Sequence, residues 1–152
     1  MAYITIAQLS ARLGATIYAR LTDRVAGTTA STTVAQQLVD EAEAEANSYL
    51  AVRYRTPVNL TAHPELAATL AGRVLDLAES AAWRGSPVVS DPPQRVKTLY
   101  EAAQAWFVAL AAGSVVLPAD SPPEPQAARD TSETARASSS PRVFTATELD
   151  GL

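Results

Sequence analysis

The chain has 152 residues, a formal net charge of −4 and no cysteine, with a sequence pI of about 4.9. Without cysteine there is no disulfide framework, thiol nucleophile or thiolate metal site, and the acidic balance is the reverse of the clustered basic footprint that grips a phosphate backbone. No stretch approaches the roughly 20 apolar residues that span a bilayer, and Met1-Ala2-Tyr3-Ile4-Thr5 has neither a basic n-region nor a long apolar run, so synthesis in a cytoplasm is expected.

The expected fold is all-α: a small helical bundle of about four main helices over residues 1–117, followed by an extended Pro/Ser-rich tail over 118–152. Thr5-Ile6-Ala7-Gln8 predicts a capping box, with Ile4 and Leu9 at staple positions and Gly14 as the stop. A second short turn over residues 16–21 is expected to be capped by Thr16, and Thr22-Asp23-Arg24 then opens a polar loop. Thr33-Val34-Ala35-Gln36 repeats the capping pattern and predicts a long helix to about Tyr54, with Val34, Leu38, Ala42, Ala46, Tyr49 and Leu50 on one apolar stripe. Thr56-Pro57 stops it, because the residue before proline is pushed out of the α region.

Pro64 sits at a first-turn position and predicts the next helix, with Leu66, Leu70, Val74 and Leu77 as its stripe and Gly85-Ser86-Pro87 as its end. Asp91-Pro92-Pro93-Gln94 predicts a cap with both prolines inside the first turn of a further helix. Val96, Leu99, Ala103, Trp106 and Leu110 line that helix, and Gly113 closes it. Ser114-Val115-Val116-Leu117 is too short to nucleate a sheet. Helix faces rich in alanine bury little area per residue, so neighbouring subunits could add to the core.

From Pro118 the composition changes to Pro, Ser, Thr and Ala with a scatter of both charges. Such a segment buries too little apolar surface to offset its own ordering entropy. It nevertheless ends on Arg142-Val143-Phe144, then Leu149 and Leu152. Those five residues are the expected partner-binding anchor of the tail.

Little in the sequence points to catalysis. His63 is the sole histidine and lies before Pro64, where it can cap a helix or face water. Asp40, Glu41, Glu43 and Glu45 crowd one helix; 41 and 45 share a face while Glu43 points well away from both, which suits a solvated acidic surface, or one that meets a basic partner, better than a metal site. There is no Gly-x-Ser-x-Gly elbow and no Walker-type glycine loop. The expectation is therefore no enzyme, no cofactor and no metal. Arg53-Tyr54-Arg55 places two guanidiniums around an aromatic, a candidate contact to a neighbouring subunit or partner; the plain alternative is dipole complementation with a core tyrosine. Trp83 and Trp106 fall on helical stripes and are expected in the core.

Three segments in order carry a family resemblance: Tyr3-Ile4-Thr5-Ile6-Ala7-Gln8-Leu9 followed by Leu21-Thr22-Asp23-Arg24; Tyr49-Leu50-Ala51-Val52-Arg53-Tyr54-Arg55-Thr56-Pro57; and the ending Arg142-Val143-Phe144-Thr145 through Leu149-Asp150-Gly151-Leu152. Together they resemble the small Mu-like bacteriophage head-protein family, which is similar to the head-to-tail adaptors of long-tailed phages and gene transfer agents. Thr56 departs from the usual apolar residue and Leu152 from the usual aromatic. The resemblance implies a virion neck protein that binds the portal protein at the capsid vertex. It implies a ring with neighbouring adaptor subunits, typically twelve, beneath which a further neck or tail-completion protein docks. DNA would pass through without sequence-specific binding, and no membrane is involved. Two rivals from other classes are a small helical regulatory or protein-binding module and an enzyme completed by a partner chain.

Overall fold

A computed structural model describes residues 2–87 and 91–118. The anchor residues Arg142, Val143, Phe144, Leu149 and Leu152 lie outside the described residues, as does the expected extended tail. Within them the chain forms five helices and no strand: α1 (Ile6–Leu13), α2 (Ala15–Thr22), α3 (Thr32–Leu50), α4 (Pro64–Gly85) and α5 (Gln94–Ala112). The all-α expectation holds.

The ends of these helices follow local chemistry. The Thr5 hydroxyl accepts the Gln8 N–H at 3.2 Å while Gln8 Oε1 accepts the Thr5 N–H at 2.8 Å, completing the expected capping box. Gly14, at φ 76°, serves both as the stop of α1 and as the start of α2. Thr16 therefore lies inside α2 rather than capping it. Ser31, not Thr33, caps α3 by accepting the Val34 N–H at 3.3 Å. That helix stops at Leu50, earlier than Tyr54; one further turn follows, closed by the Tyr54 N–H on the Leu50 carbonyl at 2.8 Å. Pro64 begins α4 and Gly85 ends it, as expected. Pro93 takes the N-cap position of α5, so both prolines precede the helix instead of entering its first turn.

α3, α4 and α5 pack against one another, and α1 and α2 lie across α3 and α4. The shared core contains Leu9, Leu38, Leu50, Leu70, Leu77, Phe107 and Leu110, all nearly or fully buried. Phe107 has no exposure at all, while Trp106 is half-buried and meets it edge-on at 5.2 Å. The expected α5 stripe was thus rotated by one residue at this point. Burying Phe107 contributes about 2–3 kcal/mol. Ala35, Ala42, Ala46, Ala78 and Ala103 are also buried, and their small side chains let the three long helices approach closely.

Candidate functional site

Four charged side chains from three helices meet where α1 ends and α5 begins. Arg12 occupies the last turn of α1. Its Nε donates to Glu79 Oε2 at 2.8 Å, and its Nη2 donates to Asp76 Oδ1. Arg95, in the first turn of α5, donates to Glu79 Oε1 at 2.7 Å. Asp76 and Glu79 stand three residues apart on the side of α4 away from its Leu70, Val74 and Leu77 stripe, and both are buried. Arg73, one turn earlier, adds a longer contact of 3.6 Å to Asp76.

Burial sets the electrostatics here. It raises the Asp76 carboxyl above the ordinary range, outweighing the opposing pull of Arg12 and Arg73. Burial also works against the Arg12 charge, but the hydrogen bond to Glu79 and the two nearby carboxylates more than offset it, so Arg12 stays firmly protonated. Three guanidiniums meet two carboxylates, which leaves positive charge in excess.

That excess borders a cleft of about 290 Å³, lined by Arg12, Leu13, Ile17, Trp83, Arg95 and Val96 among others. Ile17 is 40% exposed although apolar. Arg95 keeps 67% of its side chain exposed despite its bond to Glu79. The Trp83 indole N–H is buried with no acceptor among the described residues, an arrangement that costs free energy until an acceptor arrives. Chemically the cleft offers hydrogen-bond donors beside apolar surface. It suits a peptide that carries an acceptor next to an aliphatic side chain.

At the other end of α5 the sequence-selected Arg53-Tyr54-Arg55 comes into view. Tyr54 is buried, and its hydroxyl accepts the Leu117 N–H at 2.9 Å, fastening the segment after α5 to the end of α3. Arg53 is half-buried with its guanidinium against Gly113, which adopts φ 81° at the C-cap of α5. Arg55 is exposed. The three residues therefore divide: the tyrosine belongs to the fold, and the arginines flank it nearer the surface. Val52, Val108 and Val116 stand exposed on the segments of this same end.

The N-terminal motif is likewise structural. Glu43 Oε1 accepts the backbone N–H groups of Tyr3 at 2.6 Å and Ile4 at 3.1 Å. The Tyr3 hydroxyl donates to Asn47 and accepts from the Val58 N–H at 2.8 Å, joining the N-terminus, α3 and the loop before α4. Thr22 donates to the Tyr18 carbonyl and accepts the Ser31 N–H, and the Asp23 carboxylate takes four backbone N–H groups of the following loop. Trp83 lines the cleft, and His63 precedes α4 without a side-chain capping bond.

Sequence reasoning missed Arg12, Asp76, Glu79 and Arg95. No local signal marked them: at about 100° per residue Asp76 and Glu79 project from the side of α4 opposite its Leu70, Val74, Leu77 and Ala81 stripe, the side that the apolar pattern leaves to solvent. Among the described residues no group of three or more His, Asp or Glu side chains could hold a metal ion, and no helix is long and apolar enough to cross a membrane. Residues 3–136 match the family described as Bacteriophage Mu, Gp36. No curated protein sequence matches the chain.

Proposed function

Because the chain belongs to the Bacteriophage Mu, Gp36 family, a bacteriophage protein family, we propose that it is a structural protein of the virion, a head-to-tail adaptor. In this reading copies of the chain form a ring on the portal at the capsid vertex, extend the DNA channel and receive the next neck or tail-completion protein. The family match over residues 3–136 carries the reading, since it covers the whole helical body.

Other features support it. The exposed Val52, Val108 and Val116 lie at the end where the chain leaves the body, and they suit burial by a neighbouring subunit or the portal. Arg53 and Arg55 flank that surface and could meet acidic groups there. The net charge of −4 favours a channel wall that repels passing DNA. Val143, Phe144, Leu149 and Leu152 give the tail apolar anchors for the portal or an adjacent adaptor. The reading assigns the protein no catalytic role.

The test is a nonsense mutation in the phage that encodes it. Expected are DNA-filled heads and complete tails that accumulate unjoined, and joining restored when the purified chain is added with rings visible on the portal. Normal virions made without the protein would overturn the proposal.

A further inference from the structure

The cleft between α1, α2, α4 and the start of α5 has an apolar floor, excess positive charge and an indole N–H without an acceptor among the described residues. We propose that it is the docking site for the chain's own segment Glu148-Leu149-Asp150, bound within the same molecule before assembly. The inference goes beyond the adaptor reading and stands on the helical body and the sequence alone.

Three observations select this occupant. After residue 118 the only large aliphatic or aromatic residues are Val143, Phe144, Leu149 and Leu152, and only Leu149 has a carboxylate on each side. That pattern complements the cleft: a leucine against Leu13, Ile17 and Val96, acids against the exposed guanidinium of Arg95, and a peptide carbonyl for Trp83. Bonding between a carboxylate and a guanidinium is also stronger than between neutral groups.

Distance supplies the third argument. The cleft lies at the start of α5, and the described chain leaves the body beyond its other end. The 19 residues of α5 put about 28 Å between these points at about 1.5 Å per residue. Residues 119–147 form a spacer of about 29 residues, for which the flexible-chain relation gives a root-mean-square span of about 30 Å. A linker whose mean length matches the span gives an effective concentration in the mM range. A second copy at micromolar concentration competes poorly with that. Held this way, the terminal anchor is withheld from partners until a stronger site displaces it.

The natural chain has no cysteine, so a disulfide reports the docking directly. In the full-length chain, Thr16→Cys with Gly151→Cys, which keeps Ile17 and Leu149 in place, is oxidised at low micromolar concentration. Ser48→Cys with Gly151→Cys serves as control, because Ser48 is exposed on α3 and does not line the cleft. The expected product is a disulfide-closed monomer formed about tenfold faster than the control, the factor given by about 1.4 kcal/mol of docking free energy. Adding Glu148→Lys and Asp150→Lys leaves the body's sequence unchanged and should lower the rate to the control value. Disulfide-linked dimers alone would overturn the proposal by placing a second copy in the cleft. Rates equal to the control, or unaffected by the two lysines, would overturn it as well. None of these readouts involves phage assembly, so the inference and the adaptor reading fail separately.

Discussion

The two ends of α5 are held by opposite means. At its start, the buried Glu79 binds Arg12 from α1 and Arg95 from α5 itself, so charge ties three helices together. At its finish there is a tyrosine hydroxyl on a backbone N–H and an arginine laid against a glycine. The same residue type has different work in the two places. Arg12 matters for its charge, because two carboxylates are buried opposite it, whereas Arg53 matters for where its planar head can fit. A charged pair in the interior is costly to break from one side, while a shape-based contact can relax. The two ends should therefore respond very differently to substitution.

The largest effect is expected from Glu79→Ala. It strands Arg95, removes the partner of the Arg12 Nε and leaves Asp76 as the remaining carboxylate of the cluster. Breaking a buried pair from one side typically costs 3–5 kcal/mol. The two guanidiniums are partly exposed, at 25% and 67%, which places the expected loss near the lower limit, about 3 kcal/mol. Urea denaturation measures it. A loss below about 0.5 kcal/mol, the usual range for surface changes, would mean that the charged end contributes no more than the neutral one.

A smaller effect is expected at the finish of α5 from Gly113→Ala. The left-handed backbone there costs an alanine roughly 1–2 kcal/mol, and its Cβ would also overlap the Arg53 guanidinium. That guanidinium is the far end of a flexible side chain and can move away. Adding Arg53→Ala to Gly113→Ala should therefore recover only the overlap and leave the backbone strain. Thermal unfolding of the two single variants and the double gives the coupling. If Arg53→Ala restored full stability, the strain argument would fall; if Gly113→Ala cost nothing, the whole description of this end would fall.

What could be read from the sequence divides along the same line. Thr5 with Gln8, Gly14, Pro64, Gly85 and Gly113 mark helix ends through contacts within four residues, and each lies where the sequence puts it. Ser31 displaced Thr33 as a cap because both types can cap, and the choice depends on Ser31 N–H reaching back to Thr22, nine residues earlier. The end of α3 at Leu50 is likewise tertiary, since Tyr54 turns inward to meet Leu117 across 63 residues of chain. Arg12 with Asp76 spans 64 residues, a pairing that no local pattern encodes. Trp106 and Phe107 are adjacent large aromatics, and periodicity alone could not choose which of them faces the core. For the candidate site, the arginines 53 and 55 were legible as a surface feature, whereas the cleft needed the packing of four helices to exist.

The smallest effect is confined to one loop, and it asks whether a carboxylate near the surface can act as those in the interior do. Asp23 Oδ1 accepts the N–H groups of Val25 and Ala26, and Oδ2 accepts those of Thr28 and Thr29, at 2.9–3.2 Å. These bonds from Val25, Thr28, Thr29 and Ala26 hold the Asp23 pKa well below the usual carboxylate range. The folded value lies below the unfolded one, so the contribution is fully present above the ordinary aspartate pKa of about 3.9. It is lost as pH falls through the depressed value. Amide protection factors, corrected for the pH dependence of intrinsic exchange, and chemical shifts at 25, 26, 28 and 29 should therefore stay constant from neutral pH to about pH 4, and change together only in stronger acid. Asp23→Asn removes the charge that four donors share and should give the acid form of the loop already at pH 7, with the helices unchanged. Loop amides that titrate with a midpoint near 3.9 in the natural chain would show that the carboxylate gains nothing from its four donors.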